Sequence, residues 1–269
     1  MFRLVTRVAI SLVMLSSAGP AFAWGPAAHD AVARVAAQRL TPAAQKEVSS
    51  LLGAQSMSDV AVWADEVRNT THTQTTSWHF TNIPLTSAGF SRSRDCQQGN
   101  CIVAAIERQL ATLQDRTRPR VQRQEALKFL IHFIGDLHQP LHAADSRDRG
   151  GNDRSVAPIG GATNLHAAWD SGIVQSQGRN ASSLAANALA WLQTQRESDL
   201  VTGTFADWAN ESLRLARDLV YVQVKGDNAI VGGERQEAVR IIEKRVARGG
   251  VRLANVLNRA FAPAVPPVQ

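Results

Sequence analysis

The stretch His132-Phe133-Ile134-Gly135-Asp136-Leu137-His138-Gln139-Pro140-Leu141-His142 sets three histidines and an aspartate into one short, otherwise mostly apolar run. In a helix, residues four apart share a face, so His132 and Asp136 can address a common metal ion. Pro140 cannot continue a helix, and the chain must bend there before His142. The run therefore predicts ligands delivered both by a helix and by the turn after it. His138, two residues beyond Asp136, points off the metal-facing side and reads as a hydrogen-bonded core or supporting residue.

Further segments carry the same donor types. Downstream, Asn164-Leu165-His166-Ala167-Ala168-Trp169-Asp170 places His166 and Asp170 again at i and i+4. Upstream stand Trp24-Gly25-Pro26-Ala27-Ala28-His29, Trp63-Ala64-Asp65 and Trp78-His79-Phe80. Imidazoles and carboxylates from five segments suit zinc, which accepts both at about 2.0–2.2 Å and takes about four ligands per ion. His29, Asp65, His79, His132, Asp136, His142, His166 and Asp170 are too many for one ion. They suit three, provided one carboxylate bridges two metals and the N-terminus contributes. His72, in a threonine-rich stretch, reads as exposed, and Trp63, Trp78, Trp169 and Trp208 read as core.

The N-terminal contribution follows from the first 23 residues. Arg3 and Arg7 flank the start of an apolar stretch from Val8 to Leu15, and Ala21-Phe22-Ala23 is a small-x-small cleavage site, so residues 1–23 read as a signal peptide. Cleavage would free the amine of Trp24, whose nitrogen and carbonyl oxygen can chelate a metal with His29 nearby. The plainer alternative is an exported protein whose first helix happens to hold a histidine. Either way the destination is periplasmic or extracellular.

The remaining chain is long enough for one sizeable core, expected as a single helical domain over 24–262 followed by a flexible proline-rich tail, 263–269. Losing Arg3 and Arg7 leaves 27 basic against 23 acidic residues, a surplus that suits an anionic substrate but is weak evidence alone. No other apolar run reaches the ~20 residues that span a bilayer, and no internal repeat is present. Helical periodicity predicts helices over 26–40, 42–52, 58–69, 101–115, 119–139, 166–176, 181–195, 204–223 and 234–258, with Ser58 capping the third and Pro119 in the first turn of the fifth. Loops 70–100 and 143–164 should form the rim of the metal site. Cys96 and Cys101, in an exported chain, read as a disulfide worth about 2 kcal/mol; metal binding is the alternative, though no histidine lies nearby. Sequons at Asn69, Asn180 and Asn210 matter only in a glycosylating host.

With these residues in place, the chain resembles the zinc-dependent single-strand nucleases of the nuclease S-one and P-one type and, more distantly, the bacterial zinc phospholipases C. The resemblance covers essentially the whole mature chain and implies an all-α, single-domain fold with a trinuclear zinc cleft, acting as a monomer. It implies one zinc on Asp65, His79, His132 and Asp136, a second on the Trp24 amine and carbonyl, His29 and the bridging Asp136, and a third on His142, His166 and Asp170. It implies Asp65, Arg68 and Asn152 as catalytic residues, Asn152 also binding the scissile phosphate, with Phe80 stacking a nucleobase. Asn82 stands where the fungal enzymes carry an acidic base-reading residue, which leaves base preference open. The implied activity is cleavage of single-stranded DNA and RNA to 5′-phosphorylated products, with 3′-nucleotidase activity on nucleotides. Two rivals remain. A phospholipase C would want an apolar rim, whereas 143–152 is polar, and a non-catalytic zinc-binding protein has no use for an open third site or for Arg68.

Overall fold

The computed structural model describes residues 24–224 and 228–262; the expected leader, 1–23, and tail, 263–269, lie outside the described residues. Eight helices build most of it: α1 Pro26–Ala37, α2 Pro42–Leu52, α3 Trp63–Arg68, α4 Ile102–Gln114, α5 Arg120–Asp136, α6 Ala181–Leu192, α7 Phe205–Leu215 and α8 Gly232–Ala260. Their starts are written in the sequence. Proline opens α1 and α2, where its missing N–H is not needed, and Pro119 stands just before α5. Asn180 with Ser183 and Thr204 with Asp207 form reciprocal capping boxes for α6 and α7.

The helix α5 is the axis of the molecule. From Phe129 to Asp136 every residue is buried, so this half of the helix is covered on all sides. The α3 and α4 helices pack on it, while α1 packs between α5, α6 and the long α8. His132 and Asp136 thus sit at the centre of the fold, where an ionisable group persists only if it is paired or bound.

Several expected boundaries shift. The helix expected over 58–69 is confined to Trp63–Arg68, and Ser58 does not cap it: Ser56 and Asp59 exchange hydrogen bonds in a turn of their own, and Val62 precedes the helix. The α5 helix ends at Asp136, before Pro140, which instead opens a short 3₁₀ turn, Pro140–Ala143. The expected 166–176 helix contains a π turn, Ala168–Gly172, carrying Asp170; such widened turns recur at functional sites. Within the presumed loop 143–164 lies a hairpin, β1 Ser155–Ile159 paired antiparallel with β2 Ala162–Asn164. Gly160 and Gly161, at φ of 52° and 84°, make the tight turn that L side chains disfavour.

A buried metal-binding centre

The donors converge on the last turn of α5 and the chain after it. Asp136 divides its two oxygens. Its Oδ2 lies 3.0 Å from both His79 Nδ1 and His132 Nε2, and each of those nitrogens is 3.6 Å from Asp65 Oδ1. Its Oδ1 lies 3.2 Å from His29 Nε2 and 3.3 Å from His142 Nδ1. Nearby, Asp170 faces His142 Nε2 at 3.6 Å and His166 Nε2 at 3.3 Å. Three His/Asp groups are thereby able to hold metal: His29, His132 and Asp136; Asp65, His79 and His132; and His142, His166 and Asp170.

Backbone carbonyls decide which ring nitrogen is available. His132 Nδ1 donates to the Ala61 carbonyl at 2.8 Å, His142 Nδ1 to His79 O at 3.0 Å and His166 Nδ1 to Gly150 O at 2.7 Å. Each Nε2 is thus turned toward a carboxylate. In the bare site His132 and His142 hold a proton there, and each ring would offer its lone pair to a cation bound between them, the usual support of a metal-ligating histidine. His132 has one such lone pair, so it can serve only one of the two groups that contain it. Asp136, with an oxygen toward each, is the residue able to join them.

The chain alone does not satisfy these atoms. His29 Nε2, both oxygens of Asp65, Asp136 Oδ1 and His142 Nε2 are buried without a hydrogen-bond partner. Buried orphans of this kind are costly, and a cation held among them would remove the penalty. The ionisation of the bare site tells the same story. Burial opposes charge on His132, yet the adjacent carboxylates of Asp136 and Asp65 raise its pKa to about 9. Burial lowers His79 to about 4. Burial would raise Asp136, but His132 and His142 hold it well below the ordinary carboxylate range. The donor set fits divalent metal of the imidazole-accepting kind.

The N-terminal segment docks onto this centre. Trp24 is 1% exposed, and Gly25 N–H donates to the Asp170 carbonyl at 2.9 Å. A side chain on Gly25 would collide with Ser171 Oγ and Asp170 O, at 2.1 and 2.7 Å from its Cβ. Gly135 plays the matching part on α5, where a Cβ would come 2.8 Å from His29 Nδ1. Gly135 lets α1 approach α5 closely enough for His29 to reach Asp136, and Gly25 lets the leading residue lie against the π turn that carries Asp170.

The residue pattern and this geometry agree with the comparison to known proteins: a family model described as S1/P1 Nuclease matches residues 24–262. The chain belongs to the S1/P1 nuclease family. It is 29% identical to Endonuclease 2 of Arabidopsis thaliana over 96% of this chain and 97% of that one. It is 31% identical to Nuclease P1 of Penicillium citrinum over 87% and 97%, and 32% identical to Nuclease S1 of Aspergillus oryzae over 73% and 69%. The protein is accordingly a nuclease; its described residues are all-α apart from one small hairpin, and none of the described helices is long and apolar enough to cross a membrane.

Around the centre stand the other residues singled out from sequence. Arg68 NH1 lies 3.2 Å from Asp65 Oδ1, one turn along α3. Asn152 is half-buried and its side-chain amide donates to Arg149 O at 2.9 Å. Phe80 is half-buried and Asn82 exposed. Cys96 and Cys101 form a disulfide whose neighbours hold Phe80 and Thr81: Ile102 N–H donates to Phe80 O at 3.0 Å and Thr81 Oγ1 to Asp95 O at 3.1 Å. His72 is not fully exposed; it packs edge-on against Trp63 and Phe129 and bonds Thr71. Of the tryptophans, Trp169 and Trp208 are buried, while Trp63 and Trp78 are partly exposed and pack against the core.

Sequence reasoning missed Gln139. It is fully buried, accepts from Leu141 N–H and donates to Asp170 Oδ1 at 2.7 Å, which turns Oδ2 toward His166. Its place between two histidines and before Pro140 was the available signal.

Proposed function

We propose that this nuclease is exported, that removal of residues 1–23 leaves a single folded unit over 24–262 with Trp24 as its amino terminus, and that as a monomer it hydrolyses single-stranded DNA and RNA to 5′-phosphorylated products and removes 3′-phosphate from nucleotides. The observation that carries the reading is the convergence of unsatisfied buried donors on Asp136, which suits adjacent cations better than one. Asp65, His79, His132 and Asp136 would hold one zinc; the Trp24 amine and carbonyl, His29 and Asp136 a second; His142, His166 and Asp170 a third. Bound zinc supplies Lewis acidity toward phosphate oxygens and brings the pKa of water from 15.7 to near 7.

The chain's own residues do the rest. Arg68, ion-paired with Asp65, carries its guanidinium beside the cluster, where it can take up negative charge developing on the phosphoryl group. Asp65, buried and paired to Arg68, keeps that cation aimed. Asn152 offers its remaining amide hydrogen to a phosphate oxygen. Phe80 offers a face to a nucleobase, worth about 1–3 kcal/mol per base, and a base must be unpaired to reach it. Asn82 can both donate and accept at a base edge.

The test is to incubate the zinc-loaded protein with single-stranded DNA, duplex DNA, RNA and phosphatidylcholine and to identify products. Fragments bearing 5′-phosphate, formed much faster from single strands than from duplex, are expected. Release of phosphocholine without nucleic-acid cleavage would overturn the reading in favour of a phospholipase C; metal binding without hydrolysis would leave a storage protein.

A further inference from the structure

Between the metal donors His142 and His166 the backbone takes a conformation that needs explaining. Arg147, Arg149, Gly150 and Gly151 have φ of 63°, 54°, 64° and 84°. Glycine enters this left-handed region freely, but other residues do so rarely, and here two arginines hold it within three positions. Such a conformation persists only where its surroundings over-determine it.

Two carboxylates supply those constraints. Asp145 Oδ1 accepts from Asp148 N–H at 3.1 Å and Gly150 N–H at 3.0 Å. Asp148 Oδ1 accepts from Ser146 N–H at 3.3 Å, Gly151 N–H at 2.8 Å and the Tyr221 hydroxyl at 2.8 Å. The backbone donors belong to the loop itself and move with it. Asp145 is anchored outside the loop, donating from its N–H to Ile83 O at 2.9 Å and accepting at its carbonyl from Leu85 N–H at 3.1 Å. Asp148 has its outside anchor in Tyr221.

Tyr221 is the chain's single tyrosine and is half-buried. It is the first residue after the π turn Ala216–Val220, which continues α7. A π turn takes in one extra residue, so everything beyond it is rotated by about 100° relative to an unbroken α-helix. Burial, and then the Asp148 carboxylate, raise the phenol above its ordinary range, which keeps the hydroxyl a donor. What the loop carries belongs to the site: Gly150 O accepts from His166 Nδ1 at 2.7 Å, Gly151 O from His166 N–H at 3.2 Å, and Arg149 O from the Asn152 side-chain amide at 2.9 Å.

We propose that Tyr221 is a positioning residue of the reaction: through Asp148 it fixes the backbone of 147–152, and with it both the orientation of His166 and the amide of Asn152. What those two residues do rests on the nuclease reading above; how they are placed rests on the hydrogen bonds themselves. A tie that served only the hairpin would act further along the chain. Arg154 NH2 donates to Val224 O at 2.9 Å and Ala157 N–H to Asn228 O at 3.0 Å, and neither bond ends on Asp145 or Asp148.

The experiment compares the zinc-loaded wild type with Tyr221→Phe, which removes one hydroxyl and keeps the ring, and with Arg154→Met, which cuts the neighbouring tie. Zinc per chain is measured against free zinc set by a chelator buffer. Tyr221→Phe should weaken one zinc about tenfold, the low end of the range for a partner behind a ligand, and leave the others as in wild type. At saturating zinc its KM for single-stranded DNA should rise with kcat little changed, because a phosphate contact made in ground state and transition state alike is loosened. Amide exchange over 147–152, followed by mass spectrometry, should speed up about fivefold, the equivalent of one hydrogen bond. Arg154→Met should move none of the three, whatever it does to the melting temperature. Wild-type zinc binding, KM and exchange in Tyr221→Phe would overturn the proposal. So would an Arg154→Met protein that changes as much as Tyr221→Phe, since both would then report a general loosening of the fold. If the wild type holds no zinc or cleaves nothing, the nuclease reading fails, yet the exchange comparison still decides whether Tyr221 fixes the loop.

Discussion

His132, in the last turns of α5, and His138, just past its end, are both wholly buried, but their surroundings are opposite in kind. His138 donates from Nδ1 to Ile134 O at 2.7 Å, and its Nε2 accepts from Arg252 at 3.0 Å. Arg252 in turn clamps both oxygens of Glu211, while Arg245 donates to the His138 carbonyl, to Glu211 and to Ser212, whose hydroxyl reaches Leu137 O at 2.6 Å. The charges buried in this network, Glu211, Arg245 and Arg252, therefore each have a partner in the chain. On the other side, His132, His79, His29 and two carboxylates crowd together with donors and acceptors left over. Burial of polar groups does not by itself announce a ligand. A self-completed network holds the fold in place, and an incomplete one asks for something to be bound.

The contrast is broken most forcefully by Asp136→Ala. On the proposed assignment two of the three zinc sites lose their shared carboxylate, so metal content should fall by about two ions per chain and hydrolysis should drop to background. Elemental analysis of the purified variant decides it. Full metal content would mean that Asp136 completes an internal network as Glu211 does.

The N-terminus provides the next test, because on the proposed reading it is part of the incomplete side. A protein with one residue added before Trp24 presents an amide in place of an amine, a poor donor for zinc. It should fold, bind one zinc fewer and lose most of its activity, with both restored when a protease trims it to Trp24. Unchanged zinc and activity in the extended form would place Trp24 in the core and nothing more.

Substitutions behind α5 should behave in the opposite way. His138→Leu leaves Arg252 short of an acceptor in a buried site, at about 1–3 kcal/mol, without touching a metal donor. Lower stability with an unchanged metal count is the expected pair of results. Glu211 adds a pH signature. Burial would raise its carboxyl, but hydrogen bonds and charge from Arg252 and Arg245 bring it down to about 2, below its ordinary 4.5. Its contribution is thus complete above about 4.5 and is lost as pH falls toward 2. The gap in urea midpoint between wild type and Glu211→Gln, measured in chelator to keep metal loss out of the comparison, should be widest near neutrality and narrow through that window. A gap independent of pH would show that the carboxylate's charge is not what joins the two arginines.

How much of this was legible beforehand differs between the two sides. The incomplete centre was visible because its chemistry demands particular residue types at helical spacing, and His132, Asp136, His166 and Asp170 keep that spacing even through a π turn. The resemblance supplied what spacing alone does not, the grouping of donors from distant segments such as Asp65 and His79. The completed network was invisible: Glu211, Arg245 and Arg252 look like solvated helix charges, and only the packing of α7 and α8 behind α5 buries them. The hairpin at 155–164 reads as loop in spite of the Gly160-Gly161 turn signal, because its strands are short and bury few side chains. Gln139 was passed over because a neutral amide between two histidines carries no ligand signature of its own. Gln139→Leu should weaken the third metal about 10–100-fold, the range for support one bond behind a ligand.

The smallest expected effect concerns the rim, where the two kinds of order meet. The segment His79-Phe80-Thr81 is pinned to the metal centre on one side, since Thr81 N–H donates to His142 O at 2.8 Å, and to the disulfide loop on the other through Asp95 and Ile102. Replacing Cys96 and Cys101 with alanine releases only the second anchor. The ligands His79 and His142 keep their own bonds, so zinc content should not change and hydrolysis of bis(p-nitrophenyl) phosphate should stay as it was. Stability should drop by about 2 kcal/mol as the short loop gains freedom in the unfolded chain. Phe80, no longer braced from behind, should stack less well, and KM for single-stranded DNA should rise two- to threefold, a few tenths of a kcal/mol out of the ~1–3 that a stacked base contributes. An unchanged KM together with lower stability would show that the disulfide serves the fold at large and that the metal side alone positions the stacking residue.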